Sequence, residues 1–425
     1  MPVFEDLTWR SMVHQTTHAE LPTLLAGAPL TFYSGFDPSA DSLHIGSLVP
    51  IMACAHLQRA GHKPLILVGG GTGLIGDPSF KAAERSLLTE EQVHQNVEGI
   101  RAQLARFVTF EGPAAARMVN NGDWLGAMGL LPFLRDIGKH FSVNVMLSRE
   151  SVRARLEDRD HGISYTEFTY SLLQAYDFLH LCREYDCTLQ IGGSDQWGNM
   201  VAGMDLTRRL TQRETFALTV PLVTKSDGSK FGKTETGNVW LDAQRTSPYR
   251  FYQFWINQSD ADAPRYLRFF TFLPQEEILR LEQRILEAPQ EREAQRVLAE
   301  EVTRLVHGNE ALGHAKKATE VMFGGDPAGL DETTLLDLFS EVPSSTQPRA
   351  RVTESPLLAD LLVDAGVFPS KGEARRMIKS GGLYINNQRI EDELAAFTPQ
   401  MVLPTNTPLT IVRKGKKNYH LIKFA

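Results

Sequence analysis

The stretch FDPSADSLHIGSLVP, residues 36–50, places a histidine and two serines around a glycine just before an apolar run. The run before it, LTFYSGF, is rich in β-branched and aromatic residues and predicts a strand that ends in a glycine turn. A helix should begin near Ser47, because Pro50 suits a first turn that has no intrahelical use for its N–H groups. Free N–H groups and the positive end of the helix dipole then face the turn and form an anion site. His44 on its own could equally be a satisfied surface histidine, so other features must decide its role.

The composition is that of a soluble globular protein, with 425 residues, 42% of them hydrophobic and 22% charged. The length predicts two or three domains. The start, MPVFEDLTWR, lacks the apolar segment of a signal peptide, and no apolar run approaches the length of a transmembrane helix. Three scattered cysteines fit a reducing compartment, so we expect a cytoplasmic protein without disulfides and without a membrane partner.

Two cysteines and a histidine in the stretch HLCREYDC, residues 180–187, mimic a metal cluster. Their spacing matches no zinc pattern, and buried structural thiols at Cys182 and Cys187 are the favoured interpretation. We therefore predict no metal site.

Charge is distributed unevenly along the chain, whose net charge is −7. The part from residue 351 onwards carries 11 Lys and Arg against 7 Asp and Glu, whereas the part before it carries 33 against 44. This distribution predicts an acidic catalytic body with a basic tail that binds a polyanion. The acidic body argues against DNA as a partner.

Residues 30–225 alternate short apolar runs with helical patterns. PLILVGG, residues 64–70, is typical of a buried strand, and TEFTYSLLQAYDFLHL, residues 166–181, repeats apolar residues at helical spacing. CTLQIGGSDQWGN, residues 187–199, indicates another strand that enters a glycine turn. The alternation predicts an α/β fold with a doubly wound, Rossmann-like parallel sheet and a ligand crevice beyond the carboxyl ends of its strands.

The predicted domain boundaries follow changes in this pattern. Residues 1–225 form the Rossmann-like catalytic domain, and residues 226–342 hold a mobile KFGKT loop and an α-helical domain. The polar, proline-containing residues 343–353 are a linker by composition, and residues 354–425 form a small α+β domain.

Two glycine-rich stretches imitate nucleotide-binding motifs. GTGLIG, residues 71–76, fits the dinucleotide fingerprint, but Asp77 and Pro78 interrupt the helix that this motif requires. GSKFGKT, residues 228–234, resembles a P-loop but has only three residues between its glycines. In KFGKT, Lys230 and Lys233 could be a solvated charged loop, or they could close over a triphosphate and neutralise charge that builds up in a transition state.

The tail is an RNA-binding candidate in its own right. SKGEARRMIKSGG, residues 370–382, predicts a short capped helix that carries several basic side chains, and LYINNQRI, residues 383–390, predicts a strand, a turn and a strand. Basic side chains interleaved with Tyr384 and Tyr419 favour phosphate contact over a merely solvated face. The predicted RNA-binding residues are Lys371, Arg375, Arg376, Lys379, Arg413, Lys414, Lys416 and Lys417.

The motifs HIGS, KFGKT, GFDPSADSLHIG, GLIGDPS, YSLLQAYDF and QIGGSDQWGN together resemble the bacterial tyrosyl-tRNA synthetases, which are class I aminoacyl-tRNA synthetases. The resemblance covers nearly the whole chain, and the tail resembles the S4 RNA-binding module. It implies that tyrosine attacks the α-phosphorus of ATP, and that the tyrosyl-adenylate then passes its acyl group to tRNA(Tyr). It also implies a homodimer with no permanently bound cofactor, in which Mg²⁺ accompanies the ATP.

The resemblance also implies roles for individual residues. By this resemblance the residues that contact the transferring phosphates are His44, Lys81, Arg85, Lys230, Lys233 and Thr234. In the tyrosine pocket, Tyr33 and Asp177 bind the phenol, and Asp77, Tyr170 and Gln174 bind the ammonium group. The residues that form the ATP and adenylate site are Gly35, Asp37, Ser39, Gly46, Ser47, Gly193, Asp195 and Gln196.

Two departures and three alternatives accompany this interpretation. Ser47 stands where the class motif usually has a histidine, and Ala82 stands where relatives often have a lysine. A generic nucleotidyltransferase would lack the tyrosine pocket and the RNA tail. A regulator on an inactive synthetase fold would have lost His44 or the loop lysines, and a tryptophanyl enzyme would lack the S4-like tail.

Overall fold

The computed structural model of the chain describes residues 1–77, 88–149, 152–153, 156, 162–228, 231–234, 237–340, 342–415 and 418–425, with the backbone alone at 233 and 234. These residues divide into two compact units. Unit 1 comprises Met1–Thr246 and Trp255–Val306, and unit 2 comprises Ser247–Phe254 and His307–Ala425. Among the helices of the described ranges, none has the length and apolar character needed to cross a membrane.

Unit 1 is built on a six-stranded sheet. In chain order its strands are β1 (Gln15–Thr16), β2 (Thr31–Phe36), β3 (Lys63–Val68), β4 (Arg117–Asn120), β5 (Cys187–Gly193) and β6 (Phe216–Val220). Their order across the sheet is β1-β6-β5-β2-β3-β4. All neighbours are parallel except the short edge strand β1, which pairs antiparallel with β6. The predicted doubly wound parallel sheet is therefore confirmed.

The strand order places a ligand crevice at one point of this sheet. From β2 the chain continues to β3 on one side, and from the neighbouring β5 it continues to β6 on the other. The order of the strands reverses between β2 and β5, so the loops that leave their carboxyl ends diverge and open a crevice. The quoted stretch 36–50 leaves β2 at this point.

Helices cover the sheet and continue along the rest of the chain. In chain order they are α1 (Val3–Trp9), α2 (Leu21–Leu25), α3 (Leu48–Arg59), α4 (Glu90–Leu104), α5 (Gly122–Leu125), α6 (Leu130–Pro132), α7 (Val143–Leu147), α8 (Tyr165–Tyr185), α9 (Trp197–Thr211), α10 (Pro248–Ile256), α11 (Ala263–Phe270), α12 (Gln275–Glu287), α13 (Glu293–Met322), α14 (Glu332–Leu338), α15 (Arg351–Glu354), α16 (Leu358–Asp364) and α17 (Lys371–Lys379). Gly308 interrupts α13 with non-helical angles, φ 86° and ψ 174°.

Short 3₁₀ or π turns complete the described structure at Ile45–Ser47, Thr72–Leu74, Phe133–Ile137, Gly138–His140, Ser194–Gln196, Pro289–Glu291 and Pro399–Met401. The central strands are hydrophobic along their length because helices bury both faces of a parallel sheet. All five residues of β6 are buried, as are five of the six in β3. Helix α3 is likewise buried along most of its length, which explains its continuous apolar run.

The KFGKT loop is held against the turn at His44. Its described residues include the strand β7 (Lys233–Thr234), which pairs with β8 (Gly237–Asn238). Just beyond, the Leu241 amide donates to the Leu43 carbonyl at 2.8 Å, and the Ile45 amide donates to the Val239 carbonyl at 3.0 Å. The loop is therefore anchored by backbone hydrogen bonds to the turn that begins the first helix after β2.

Phe231 of the same loop is buried in an aromatic cluster. Its ring lies 5.8 Å from Trp255, 4.9 Å from Tyr266 and 5.5 Å from Phe270, measured between centroids. Residues 255–306 thus pack with the catalytic unit. The sequence interpretation grouped them with the loop in a domain separate from residues 1–225, and this boundary is wrong because Trp255–Val306 belong to the same compact unit as Met1–Thr246.

Unit 2 contains a five-stranded sheet. Its strands are β9 (Ser344–Gln347), β10 (Leu383–Ile385), β11 (Gln388–Arg389), β12 (Leu409–Lys414) and β13 (Asn418–Phe424), in the spatial order β11-β10-β12-β13-β9. Helices α16 and α17 pack on it through a core that includes Leu361, Ile378 and Phe397. The predicted strand–turn–strand at residues 383–390 is confirmed by the β10–β11 hairpin.

The predicted linker, residues 343–353, is also wrong. Ser344–Gln347 is the strand β9, which pairs in parallel with β13 at the edge of the sheet. Polar side chains suggested a linker, but an edge strand with one exposed face can be polar because its backbone hydrogen bonds hold it in place. A chain cut near Val352 would retain β9 and lose the strand with which it pairs.

Candidate active site

A cavity of about 680 Å³ opens at the carboxyl ends of β2 and β5. It lies entirely within unit 1, where the strand order reverses. Fourteen residues singled out from the sequence line it: Tyr33, Gly35, Asp37, Ser39, His44, Gly46, Ser47, Asp77, Tyr170, Gln174, Asp177, Gly193, Asp195 and Gln196. The fold thus brings together side chains that are up to 163 positions apart between Tyr33 and Gln196.

The closed end of the cavity combines a tyrosine with a carboxylate. Tyr33 on β2 and Asp177 on α8 are each 1% exposed. Asp177 Oδ1 accepts a hydrogen bond from Trp124 Nε1 at 2.8 Å, and its Oδ2 accepts one from Asn121 Nδ2 at 2.9 Å. The Tyr33 hydroxyl has no hydrogen-bond partner among the described residues. A buried donor of this kind costs free energy unless a ligand completes it.

Burial controls the ionisation of this pair. It raises the pKa of Asp177 to about 7, while the hydrogen bonds from Asn121 and Trp124 act in the opposite direction. Burial also raises the pKa of Tyr33 well above its ordinary value, and the charge of Asp177 adds to this effect. The closed end therefore offers a neutral phenol beside a carboxyl group that ionises near neutral pH.

A hydrogen-bonded chain connects Asp177 to a second group of polar side chains. Asn121 Nδ2 also lies 2.9 Å from Thr72 Oγ1, which donates to Asp37 Oδ1 at 2.7 Å. The Tyr170 hydroxyl donates to the other oxygen, Asp37 Oδ2, at 2.6 Å. Burial raises the pKa of Tyr170 well above its ordinary value, and the charges of Asp37 and Asp77 add to this effect.

Two further amides stand beside these carboxylates. Gln196 Nε2 donates to Asp77 Oδ2 at 2.7 Å. Gln174 Oε1 is buried and has no hydrogen-bond partner within the described ranges. The carboxylates of Asp37 and Asp77 and the amide oxygen of Gln174 all line the cavity, which makes it favourable here for a cationic ligand group.

The predicted positions on α8 are confirmed. Tyr170, Gln174 and Asp177 lie on this one helix at i, i+4 and i+7, and all three reach the cavity. The spacing therefore placed three polar side chains on one helical face, as expected from the sequence.

The other end of the cavity is open and begins the first helix after β2. His44 is exposed, and its Nδ1 accepts a hydrogen bond from the Gly46 amide at 3.0 Å. This contact assigns the proton to Nε2, which remains a donor. A Cβ atom at position 46 would lie 2.7 Å from His44 Cε1, so a side chain there would displace the imidazole from this position. Helix α3 begins directly after Ser47, as predicted.

The predicted basic residues around this opening are described only in part. Lys81, Arg85 and Lys230 lie outside the described residues. For Lys233 and Thr234 the backbone is described, in the hairpin next to the His44 turn. Gly232 precedes them with φ +81°, and a Cβ atom there would lie 2.9 Å from Ile45 Cγ1, so this close approach also requires glycine.

Sequence reasoning missed four residues of the cavity network. Thr72, Asn121 and Trp124 connect the two polar groups, and Gln190 on β5 also lines the cavity. A signal was present in NNGDW, residues 120–124, because it directly follows β4, whose carboxyl end lies at the same edge of the sheet as those of β2 and β5.

The residues suggested as a metal cluster have other contacts. Cys182 and Cys187 are buried free thiols, as predicted, and the His180 ring stacks on Trp124. In the part of the chain that the structure describes, no three His, Cys, Asp or Glu side chains come together to hold a metal ion.

The basic residues of the tail divide into two groups. Arg376 and Lys379 on α17 are exposed, Arg375 is half-buried, and Lys371 forms an ion pair with Asp360 at 2.9 Å. Ser370 accepts the amide of Glu373, which confirms the predicted helix cap.

The other predicted RNA-binding residues of the tail either contact residues of unit 2 or lie outside the described ranges. Arg413 lies 3.8 Å from the Tyr384 ring and donates to Asn387, and Lys414 donates to the Val367 carbonyl. Lys416 and Lys417 fall among the residues that are not described. Tyr419, one of the two tyrosines interleaved with these basic residues, is 6% exposed, and its hydroxyl donates to the Met322 carbonyl.

Comparison with known proteins defines the class first. Residues 25–324 match the family described as tRNA synthetases class I (W and Y), and residues 334–422 match the family described as tyrosine–tRNA ligase SYY-like C-terminal domain. A Rossmann-like sheet with the HIGS turn at its crevice is thus the catalytic part of a class I aminoacyl-tRNA synthetase.

Individual relatives narrow this class. The chain is 50% identical to the tyrosine–tRNA ligase of Staphylococcus carnosus (strain TM300) over 424 residues, which is 99% of both chains. It resembles the crystal structure of a C-terminally truncated Aspergillus nidulans mitochondrial tyrosyl-tRNA synthetase with TM-score 0.69 and 29% identity, over 76% of this chain and 94% of that one. The corresponding enzyme of Coccidioides posadasii matches with TM-score 0.67 and 30% identity, over 75% and 91%. The chain belongs to the tyrosyl-tRNA synthetases.

The raised pKa of Asp177 predicts a pH dependence of stability. Its ordinary value is 3.8, so between about pH 4 and 7 the folded protein binds a proton that the unfolded chain releases. The contribution of Asp177 to stability is therefore present at low pH and lost as pH rises through about 7. Thermal unfolding measures this effect. The unfolding midpoint of Asp177→Asn minus that of the unsubstituted protein should increase with pH over this interval.

A surface carboxylate provides a control of opposite sign. Arg135 lowers the pKa of Asp136, so Asp136→Asn should lose stability relative to the unsubstituted protein as pH rises through the acid range. Parallel pH profiles for both variants would contradict the assigned ionisation of Asp177.

Proposed function

We propose that the cavity of unit 1 binds L-tyrosine at its closed end and ATP at its open end, and that unit 2 binds tRNA(Tyr). The reaction of the family is the attack of the tyrosine carboxylate on the α-phosphorus of ATP, which releases pyrophosphate. The tyrosyl group of the adenylate then passes to the 3′-terminal adenosine of the tRNA. One observation carries the proposal: at the closed end, a buried tyrosine hydroxyl that has no hydrogen-bond partner among the described residues lies beside a carboxylate fixed by two donors.

Selection of tyrosine over phenylalanine requires polar partners for one hydroxyl. Phenylalanine would leave those partners unpaired in a buried site, a rule for which tyrosyl-tRNA synthetases are themselves a standard example. In our proposal the substrate phenol donates to Asp177 and accepts from the Tyr33 hydroxyl. Each oxygen of Asp177 already accepts one hydrogen bond, from Asn121 or Trp124, and a carboxylate oxygen can accept a second.

The substrate ammonium group would bind to the second polar group. Asp77, Tyr170 and Gln174 supply a carboxylate, a hydroxyl oxygen and an amide oxygen that no described residue contacts by a hydrogen bond. Each can accept from a protonated amine, which carries three donors and no acceptor. Asp37 adds negative charge through its contact with Tyr170.

The open end would bind ATP and the transferring phosphates. Ser39, Gly46 and Ser47 surround the start of α3, where amide groups and the helix dipole favour an anion. Because its Nδ1 already accepts a hydrogen bond, His44 offers its Nε2 proton to a phosphate oxygen. Gly35 leaves room for the ligand against β2, and Gly193, Asp195 and Gln196 would contact the adenylate from the end of β5.

The first step needs positioning and charge stabilisation, because the tyrosine carboxylate is already an ionised nucleophile. We assign this work to His44, Lys230, Lys233 and Thr234, with Lys81 and Arg85 over the pyrophosphate. Mg²⁺ would enter as part of the ATP substrate. Val239 and Leu241, which follow the β7–β8 hairpin, form backbone hydrogen bonds with residues 43–45. These bonds support the assignment, since they keep the hairpin that contains Lys233 beside the opening.

Three further properties belong to the same proposal. Unit 2 would bind tRNA through exposed Arg376 and Lys379 and half-buried Arg375, and the enzyme would be cytoplasmic.

The enzyme would act as a homodimer, because large apolar side chains such as Leu131 and Val145, 77% and 59% exposed, are concentrated between residues 130 and 147. Sedimentation equilibrium should give twice the mass of the chain, and a monomer would contradict the dimer.

The phenol site predicts a loss of discrimination. Tyr33→Phe should reduce the preference for tyrosine over phenylalanine by roughly 1 to 3 kcal/mol, because one hydrogen bond to the substrate disappears. Asp177→Asn should reduce it further, since a charged acceptor is lost. The ratio of kcat/KM for the two amino acids in ATP–pyrophosphate exchange measures this. Tyr165→Phe, which alters an exposed tyrosine, should leave the ratio unchanged.

The lysine hairpin predicts a loss of rate without a loss of tyrosine affinity. Lys230→Ala and Lys233→Ala each remove a positive charge, and His44→Ala removes a hydrogen-bond donor, and all three groups are needed mainly in the transition state. The kcat for adenylate formation should fall much more than KM for tyrosine changes, measured by ATP–pyrophosphate exchange. Lys63→Ala is the control, because Lys63 is exposed at the opposite end of β3. Weaker tyrosine binding with an unchanged rate would refute the assignment.

The tail predicts a salt-dependent defect in tRNA charging alone. Substituting Arg375, Arg376 and Lys379 with alanine should slow charging and reduce the slope of log K against log salt by about 2, because phosphate contacts disappear. ATP–pyrophosphate exchange should not change. Arg351→Ala is the control, since this arginine is already paired with Asp364 at 2.8 Å. An unchanged salt slope in the triple variant would remove RNA binding from α17.

A further inference from the structure

The indole of Trp124 donates one of the two hydrogen bonds that Asp177 accepts. Its Nε1 lies 2.8 Å from Asp177 Oδ1, and its side chain is half-buried. The inner part of the indole packs against the apolar cluster that contains Tyr33 and Phe178. The direction of the N–H group, and with it the free lone pairs of Asp177, depends on the orientation of this ring.

Close packing does not extend around the outer side of the indole. A second cavity of about 390 Å³ is lined there by Trp124, Asn120, Arg117, Tyr185 and His180, among others. Space of this size leaves an aromatic side chain free to tilt unless another group fixes it, because a ring next to a void lacks contact atoms on that side.

His180 is the group in ring contact with the indole. The two rings are nearly parallel, with their centroids 4.3 Å apart and 20° between their planes. His180 follows Asp177 by three positions on α8, so the ring and the carboxylate share one helical face. Its own position is supported by Tyr176 and Tyr185, whose ring centroids lie 6.3 Å and 6.4 Å away.

We propose that His180 is a positioning residue for amino-acid selection: its ring fixes the Trp124 indole so that the indole N–H stays on Asp177. The inference rests on the proposed role of Asp177 as acceptor for the substrate phenol. The contact is a stack of two neutral rings, because burial lowers the pKa of His180, with Arg183 acting in the same direction and Glu184 against it. His180 touches no substrate atom in this scheme.

Three substitutions separate stacking from simple filling of space. His180→Ala removes the ring, His180→Leu replaces most of its volume without an aromatic face, and His180→Phe keeps an aromatic face. The ratio of kcat/KM for tyrosine to that for phenylalanine should fall about tenfold in the Ala and Leu variants, the effect of weakening one charge-assisted hydrogen bond. It should return close to the original value in the Phe variant.

The kinetic pattern distinguishes positioning from loss of structure. The fall should arise in kcat/KM for tyrosine, while kcat/KM for phenylalanine and KM for ATP stay nearly constant, because only the phenol contact has changed. A general disturbance would lower the values for both amino acids together. His18→Ala is the matched control, since His18 also packs on an aromatic ring, Phe216 at 5.0 Å, but at the opposite edge of the sheet.

A double-mutant cycle tests the route through Trp124. Trp124→Phe keeps an aromatic ring and removes the N–H donor, so it should lower the same ratio. Once this donor is absent, His180→Ala should add little, and the two losses should be strongly non-additive. Additive losses, an unchanged ratio in His180→Ala, or equal losses for both amino acids would each overturn the proposal.

The Asp177 variant shows which inference has failed if the results disagree. If Asp177→Asn loses discrimination while the His180 variants keep it, the phenol site stands and only the positioning role is wrong. If Asp177→Asn itself keeps discrimination, the proposed phenol site is wrong, and the role of His180 fails with it.

Discussion

The rest of the active site depends on the burial of the Asp177 carboxyl group. A carboxylate that is 1% exposed is stable only where donors replace the water that it has lost. Trp124 and Asn121 supply those donors from the segment after β4, at the far edge of the sheet. Asn121 then continues through Thr72 to Asp37, so the requirement of one buried charge orders side chains from three different loops.

This network also gives the parts of the cavity different charges and different hydrogen-bonding groups. The closed end has donors already directed at Asp177, whereas the second group contains carboxylates and an amide oxygen that has no hydrogen-bond partner in the described part of the chain. The open end has the amides of the glycine turn and the His44 imidazole. In the proposed mode of binding, a phenol, an ammonium group and a phosphate would meet three different environments within one cavity of about 680 Å³. An amino acid with a phenolic side chain and ATP fit these environments in that order.

Unit 2 illustrates a different relation between sequence and structure. Charge alone indicated a basic tail, and the short capped helix with Arg376 and Lys379 on its surface agrees with that pattern. Arg413, Lys414 and Tyr419 are instead used in internal contacts. Composition counts charges and rings but not the direction in which each strand presents them, and adjacent residues of a strand face opposite sides.

The parallel sheet, the turn at residues 36–50 and the polar face of α8 could be predicted from the amino-acid sequence, because they depend on local periodicity and on glycine at close approaches. Fourteen residues named from their motifs meet in one cavity. Only the tertiary structure showed that Trp124, Asn121 and Thr72 complete the network, that residues 255–306 pack with the catalytic unit, and that β9 is a strand. These features depend on contacts between residues distant in sequence, and local periodicity does not specify which residues make such contacts.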